Sequence, residues 1–317
     1  MKTSHPFYLS LVIPFYNEAK SLRELSTELE AVLKSIGKPS EIIFVDDGST
    51  DGGSQTVLEL QEQNSSIKLI RFRRNLGKSA ALQYGFKRAK GEIVISMDAD
   101  LQDDPNEIPQ FLDLLAQGYD LVSGRKVKRQ DSWGKRAQSK IYNQVTRWMT
   151  GVQLHDFNCG FKAYRRQVLK EIEIYGEMHR FIPVLVSWRG FKIGEIPVHH
   201  RPRIYGKSKF GMWNRFLPGV LDLCTSYYVT RYSTKPSRIF GTFGWFSFFA
   251  GLAIDFHLLW IKLTGGAIHP HYPYMVLGGM LTIVGIQLIF FGLLSELIVF
   301  FYHRFKKEYA VDYERGL

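Results

Sequence analysis

The sequence predicts an α/β fold, a mostly parallel sheet with helices on both faces, followed by two membrane-spanning helices. Three observations carry this. Short apolar runs alternate with amphipathic stretches through residues 7–124, the rhythm of strands joined by crossover helices. Two of those runs end in acidic clusters, where α/β sheets place their ligands. Two later stretches stay apolar for 23 and 29 residues, longer than the roughly 20 a bilayer requires.

The elements follow in order. Leu9–Pro14 is a continuous apolar run of strand length, and Glu18–Ile36 has helical periodicity. Glu41–Asp46 forms a second strand that ends in Asp46-Asp47-Gly48-Ser49, with a helix from about Asp51. Lys68–Phe72 and Glu92–Asp98 supply two more strands, separated by a helix over Lys78–Ala89. Pro105 then opens a helix, a favoured first-turn position for proline, and Tyr119–Gly124 is a fifth strand. Beyond it the pattern is less regular, with a helix near Gly134–Met149 and a strand at Lys192–Val198. Phe210–Tyr232 mixes aromatic, aliphatic and arginine residues, as an amphipathic helix at a membrane surface does; a core-packing helix is the alternative.

Ile239–Ile261 contains one charge, Asp255, and Tyr274–Tyr302 contains one, Glu296. The short loop between them holds Gly265, Gly266, Pro270 and Pro273, so the pair forms a hairpin. Arg231, Lys235 and Arg238 precede it, and His303, Arg304, Lys306 and Lys307 follow it. The positive-inside rule then places both chain ends in the cytoplasm. The domain plan is a catalytic region over 1–209, a juxtamembrane helix over 210–235, the hairpin within 236–303, and a cytoplasmic tail over 304–317. The apolar run Phe7–Tyr16 is short, holds Pro14 and lacks a cleavage site of small residues, so it is not read as a signal peptide.

Charge is unevenly spread. Residues 1–120 hold 13 Lys and Arg against 18 Asp and Glu, whereas residues 121–317 hold 28 against 12. An acidic half suits a divalent metal, and a basic half suits phosphates or anionic lipid. Two distant cysteines, Cys159 and Cys224, exclude a disulfide framework.

The chemistry is concentrated in Asp98-Ala99-Asp100-Leu101-Gln102-Asp103-Asp104-Pro105. Carboxylates at i and i+2 just past a strand aim at one cation, and Mg²⁺ or Mn²⁺ takes such ligands while keeping positions open for phosphate oxygens. The segment Val45-Asp46-Asp47-Gly48-Ser49-Thr50-Asp51 reads in two ways. Its aspartates can hydrogen-bond a base and ribose, or Ser49, Thr50 or Asp51 can cap the next helix. Asn75-Leu76-Gly77-Lys78 also reads in two ways, first as a turn and helix start, and second as a segment that brings Lys78 toward a diphosphate.

These segments, with Val12-Ile13-Pro14-Phe15-Tyr16-Asn17-Glu18 and Arg74-Asn75-Leu76-Gly77-Lys78, resemble family 2 glycosyltransferases of the GT-A fold. The resemblance extends to the polyprenyl-phosphate branch, which includes dolichol-phosphate mannose synthase and bacterial undecaprenyl-phosphate glucosyltransferases. His155-Asp156-Phe157-Asn158-Cys159-Gly160-Phe161-Lys162 also matches, as does Arg201 with Tyr205-Gly206-Lys207-Ser208-Lys209. The resemblance implies that Pro14, Tyr16, Glu18 and Asp46, with Asp47 and Lys78, bind the nucleotide-sugar. It implies that Asp98 faces ribose or metal, and that Asp100 and Gln102 coordinate the metal. It sets Asp156 beside the reacting sugar, as base or orienting group, and gives the phosphates to Arg201, Lys207 and Lys209. The implied activity is inverting transfer of a hexose to undecaprenyl phosphate at the bacterial inner membrane, for modification of cell-envelope glycans. UDP-glucose is the first choice of donor; GDP-mannose and UDP-linked amino sugars stand behind it. A homo-oligomer is compatible with this reading.

Gln144-Val145-Thr146-Arg147-Trp148 matches the Q-x-x-R-W string of processive polysaccharide synthases. It precedes Asp156, and two spans are too few for a channel in one chain, so the match is read as chance. A non-catalytic nucleotide-binding membrane module is disfavoured by the intact Asp98, Asp100 and Asp156. Nucleic-acid binding is disfavoured because the basic half holds the two spans and no recognised motif.

Overall fold

The computed structural model describes residues 6–127, 143–174, 176, 178–202, 205, 237–267 and 269–305. The chain divides into two compact units, Met1–Cys224 and Thr225–Leu317. In the first, β1 (Phe7–Phe15), α1 (Ala19–Ile36), β2 (Ser40–Asp46), α2 (Gly53–Gln63), β3 (Ile67–Arg71), α3 (Lys78–Arg88) and β4 (Gly91–Ser96) alternate without interruption. A single 3₁₀ turn, Pro105–Glu107, leads into α4 (Ile108–Ala116) and β5 (Leu121–Lys126). Residues 143–150 are helical (α5). Then come β6 (Lys162–Arg165), α6 (Arg166–Glu171), α7 (Ile182–Trp188) and β7 (Ile193–Val198).

The seven strands run in the order β3-β2-β1-β4-β6-β5-β7. All neighbouring pairs are parallel except those of β6, which runs antiparallel to both β4 and β5. That strand has no counterpart in the sequence reading. Only the described end of the Gly134–Met149 helix, in α5, can be compared. On it Arg147 donates to Gln144 Oε1 at 2.5 Å and Trp148 is 82% exposed, so the Q-x-x-R-W string occupies an ordinary helix surface. The interfacial helix over 210–235 and the tail over 306–317 lie outside the described residues.

Alternation explains how the central strands are covered. Leu9, Leu11 and Ile13 of β1 pack with Leu22, Leu25 and Leu29 of α1, while Val12 packs with Ala81, Leu82 and Phe86 of α3. Both faces are buried, so the strand reads as one apolar run. Gly85 sets the approach of α3, since a Cβ there would lie 2.4 Å from Val12 Cγ1. Helix α1 ends where Gly37 turns left-handed, φ 64°, and donates its N–H to Leu33 O.

The N-terminal edge of the sheet carries a buried carboxylate of its own. Glu41 accepts from Ser10 Oγ at 2.6 Å and from Lys90 N at 2.7 Å, and it pairs with Lys68. Ser10 Oγ in turn accepts from Gly91 N at 2.8 Å, tying β1, β2 and β4 together.

The second unit is a pair of helices, α8 (Ser237–Leu263) and α9 (Tyr272–Phe305), joined through a 3₁₀ turn at His269–His271. Both are long and apolar enough to cross a membrane. Glycines bring their backbones together: a Cβ at Gly251 would stand 2.6 Å from Gly278 O, and one at Gly285 would stand 2.5 Å from Phe248 N.

Glu41→Ala removes a fully buried acceptor and strands the Lys90 amide and the Ser10 hydroxyl. We expect a loss of about 1–3 kcal/mol of stability, read as a lower urea midpoint by tryptophan fluorescence. An unchanged midpoint would show the network to be dispensable.

Candidate active site

The carboxyl ends of β1, β2 and β4 meet at one edge of the sheet, and hydrogen bonds knit their loops into one body. Asn17, left-handed at φ 54°, donates its N–H to Ser49 Oγ at 2.9 Å and accepts from Thr50 N at 2.8 Å. Asp51 accepts from Ala19 N at 2.8 Å with one oxygen and from Gly53 N at 3.0 Å with the other. One carboxylate therefore serves the first residues of both α1 and α2. Ser21 Oγ donates to Ala99 O at 2.6 Å, which binds α1 to the loop after β4.

Asp46 and Asp47 point in different directions. Asp46, fully buried, accepts from Ser49 N at 2.7 Å and from Ser54 Oγ. Asp47 accepts from Leu76 N at 2.7 Å and from Gly77 N at 3.0 Å. Burial raises the pKa of Asp47, and those two amides partly oppose it. Gly48, φ 77°, leaves room for the neighbouring loop: a Cβ there would fall 2.6 Å from the carbonyl carbon of Arg74. The segments 46–51 and 74–78 are thus two sides of one contact. None of Ser49, Thr50 and Asp51 is the cap of α2, which is Gly52 without a side-chain hydrogen bond; Asp51, just before it, accepts from Gly53 N instead.

Of the residues expected around the base, Tyr16 and Glu18 reach the surface, while Pro14 is buried within β1. Lys78, the first residue of α3, pairs with Asp98; their side chains are 32% and 30% exposed. Burial alone would raise the pKa of Asp98. Lys78, which also hydrogen-bonds it, and Lys126 reverse this and hold the carboxyl well below its usual range. Gly160 packs directly behind that carboxylate, where a Cβ would lie 2.7 Å from Asp98 Oδ2. The glycine is held in turn by Ser96 Oγ, which donates to Gly160 O at 2.8 Å.

The loop after Asp98 turns sharply. Leu101 is buried at φ 61°, a left-handed conformation that costs a residue with a side chain roughly 1 kcal/mol or more. Asp100 Oδ1 accepts from Gln102 N at 3.2 Å. Gln102 Nε2 donates to Arg201 O at 3.3 Å, and Arg201 N donates to Gln102 O at 2.8 Å. The Arg201 guanidinium reaches Glu28 and Asp104, each at 2.8 Å. Lys207 and Lys209 lie outside the described residues.

Asp103 escaped the sequence reading as a distinct residue. It is buried, and neither of its oxygens has a hydrogen-bond partner. Burial pushes its pKa up to about 6, and the charges of Asp98 and Asp100 add to the rise. Lys126 escaped too, although its place at the end of β5 was a usable signal. Burial opposes its charge, yet Asp103, Asp98 and Asp156 keep its pKa above the ordinary lysine value. Asp156 is buried; its N–H donates to Glu195 Oε1 at 3.0 Å, and its Oδ1 accepts from Asn158 N at 3.0 Å. Glu195 of β7 also accepts from His155 N at 2.8 Å, so it fixes the whole approach to Asp156. No local motif marked it. Cys159 beneath is buried, and burial pushes its thiol up to about 12.

A small cleft beside Lys78 is lined by Ser96, Asn158, Gly160, His179 and Arg180. His179 Nδ1 and Ser79 Oγ are 2.9 Å apart, and His179 N donates to Ser79 Oγ at 3.1 Å. Burial first, then the cations Lys78, Arg180 and Lys162, hold the pKa of His179 well below its usual value, so the ring is neutral.

Among the described residues no three His, Cys, Asp or Glu side chains converge as a ready-made metal cage. Magnesium-type sites need only one or two carboxylates, with substrate phosphates and water completing the shell. The carboxylate charge of Asp98 and Asp100, with Asp103 buried beside them and without a hydrogen bond, is what a divalent cation relieves, so the donor set fits one.

Comparison with known proteins agrees with the fold. The family model described as glycosyl transferase family 2 matches residues 10–173. Similar solved structures include glucosyl-3-phosphoglycerate synthase from Mycobacterium tuberculosis with phosphoglyceric acid, at TM-score 0.52 and 18% identity, covering 69% of this chain and 81% of that one. The same enzyme with uridine diphosphate gives 0.51 and 18%, with the same coverage. With Mn²⁺ and UDP-glucose it gives 0.52 and 18%, covering 69% and 80%.

Gly160→Ala displaces the Asp98 carboxylate from its place against Lys78. We expect turnover to fall about 100-fold, the scale of an ångström-level misplacement, while thermal unfolding stays cooperative. Turnover within twofold of wild type would show that the tight packing behind Asp98 is not needed.

Proposed function

From the premise that this chain belongs to glycosyl transferase family 2, and so is a glycosyltransferase, we propose that it moves a hexose, glucose from UDP-glucose, onto a polyprenyl phosphate. The observation that carries the acceptor is the helix pair α8–α9, two helices long and apolar enough to cross a membrane, in the same chain as the transferase domain. An enzyme held at a bilayer meets lipid substrates at high effective concentration. Glucosyl-3-phosphoglycerate synthase shares the fold but has phosphoglyceric acid in its complex, so a soluble phosphorylated acceptor is the reading to test against.

The reaction is a displacement with inversion. A phosphate oxygen of the lipid attacks the anomeric carbon, and the bond to the nucleoside diphosphate breaks. With a second pKa of about 6, the phosphate monoester is largely dianionic near neutral pH. A strong base is therefore unnecessary, and Asp156, braced by Glu195 and Asn158, serves to orient. Asp98, Asp100 and Gln102 would hold Mg²⁺ or Mn²⁺, whose chemistry is to neutralise charge on the departing diphosphate. Tyr16 and Glu18 face the base. Lys78 faces the diphosphate. Arg201, Lys207 and Lys209 hold the phosphates; a guanidinium has five N–H donors, so Arg201 can share Glu28 and Asp104 with a phosphate.

Supplied with radiolabelled UDP-glucose, GDP-mannose or UDP-N-acetylglucosamine, and with either undecaprenyl phosphate or 3-phosphoglycerate, the enzyme should move label from UDP-glucose into the lipid phase. Label appearing only in phosphoglycerate would overturn the acceptor; label entering lipid from another donor would change the sugar alone. Asp100→Asn, or excess chelator on the wild type, should lower transfer by roughly 100- to 1,000-fold, since the leaving-group stabilisation is worth several kcal/mol. Full transfer in chelator would remove the metal from the mechanism.

We further propose that residues 1–209 form the catalytic domain, that residues 210–235 lie along the inner membrane surface, and that both chain ends are cytoplasmic. Basic residues on both flanks of the helix pair support this orientation. In a background without Cys159 and Cys224, cysteine at the exposed Ala267 should react with an impermeant maleimide on whole cells. Protection at Ala267 together with labelling at an exposed position of the transferase domain, such as Leu76→Cys, would reverse the topology.

A further inference from the structure

The carboxylate that a divalent cation would use already carries a cation of the protein's own. Lys78 pairs with Asp98 through Oδ1. Both side chains are about one-third exposed, at 32% and 30%, so the contact can open without disturbing the core.

The two ends of this pair differ in their freedom. Asp98 cannot retreat, because Gly160 packs against its carboxylate closely enough to exclude even a Cβ. The backbone of Lys78 is equally fixed, since Asp47 holds the Leu76 and Gly77 amides just before it. What remains mobile is the four-carbon stem of Lys78, which swings a compact, strongly hydrated charge. A small cleft lies beside it, lined by Asn158, His179 and Arg180.

We propose that Lys78 is an exchangeable counter-cation: it occupies Asp98 until a nucleoside diphosphate and a divalent cation arrive, and it then passes to the diphosphate. This rests on the metal-dependent reading of Asp98 and Asp100 given above. An ammonium and a divalent cation compete for one carboxylate oxygen. A diphosphate removes the competition by giving Lys78 a second partner. Each ligand therefore strengthens binding of the other, by equal factors, as linkage requires. Bound nucleotide makes the metal site, and the metal alone meets an occupied carboxylate.

The test is Mn²⁺ binding to the full-length enzyme in detergent, followed by electron paramagnetic resonance of the free ion, with and without uridine diphosphate. Wild type should bind Mn²⁺ weakly alone and at least about fivefold more tightly with the nucleotide, the lower end of ordinary coupling. Lys78→Met should bind Mn²⁺ more tightly than wild type without nucleotide, and the nucleotide should then add little. Lys78→Arg keeps the charge and should behave like wild type, which separates exchange from damage to the fold. Equal or weaker Mn²⁺ binding by Lys78→Met without nucleotide, beside a wild-type-like Lys78→Arg, overturns the exchange while leaving the metal reading intact. No Mn²⁺ binding by wild type at any nucleotide concentration overturns the metal reading, and the exchange with it.

Discussion

Asp47 holds the active edge together. At the carboxyl end of β2 it accepts the amides of Leu76 and Gly77, and so fixes the chain just before α3. Those two bonds determine where Lys78 begins, and Lys78 determines the charge state around Asp98. The arrangement needs Gly48 next to Asp47, because the backbone at Arg74 and Asn75 passes within what would be a Cβ contact. It also needs Asp46 turned the other way, into Ser49 and Ser54, so that the loop cannot collapse onto the strand. Adjacent residues at a strand end point to opposite faces, and two neighbouring aspartates here do two jobs. One shapes the loop and the other places the helix.

The electrostatics of the site follow from burying several carboxylates together. Asp98, Asp103 and Asp156 all act on Lys126, and Lys78 sits on Asp98 from the solvent side. Asp103 bears the strain of this grouping, with its proton held up to about pH 6 by burial and by its neighbours. A buried carboxylate without a hydrogen bond is costly, so the place of Asp103 at this strand end is not explained by stability. The Glu41 network at the opposite edge makes the contrast. That carboxylate is equally buried, yet a serine, a backbone amide and a lysine satisfy it. One edge of the sheet is built for cohesion, and the other retains charge that a cationic ligand can use.

The sequence disclosed the first part of this architecture because β1, β2 and β4 are covered on both faces. Their apolar runs are unbroken, and their acidic ends stand out against them. It did not disclose β6, where Lys162-Ala-Tyr-Arg shows neither alternation nor an apolar run and pairs antiparallel between two strands that arrive earlier in the chain. The site was legible to the same extent. Asp98 and Asp100 announce themselves by type and setting, and Asp156 only by the resemblance of its segment. Glu195 and Lys126 do not, because their importance comes from strands brought alongside by the fold: β7 pairs with β5 in register from Leu121 to Lys126 and so delivers Glu195 under Asp156. Direction was also hidden. A string of residues names two carboxylates at 46 and 47 but not that both are spent on the protein's own groups.

The helix pair obeys a different constraint. In water the apolar faces of two such helices would associate by the hydrophobic effect, but in lipid that force is absent and close packing must replace it. Glycines at 244 and 251 on α8 and at 278 and 285 on α9 supply the close approach, each with no room for a side chain beyond hydrogen, and Gly292 continues the seam with a tighter-than-usual fit. Their spacing of seven keeps one face of each helix on the seam. Phe243, Phe246, Phe256 and Trp260 remain exposed on the other faces, a distribution that suits hydrocarbon and would be a liability in water. An acceptor confined to a membrane turns the helix pair into part of the reaction, because tethering converts a search through three dimensions into one across a surface. On the proposed lipid acceptor, the glycine seam would hold the enzyme where the phosphate of a lipid meets water.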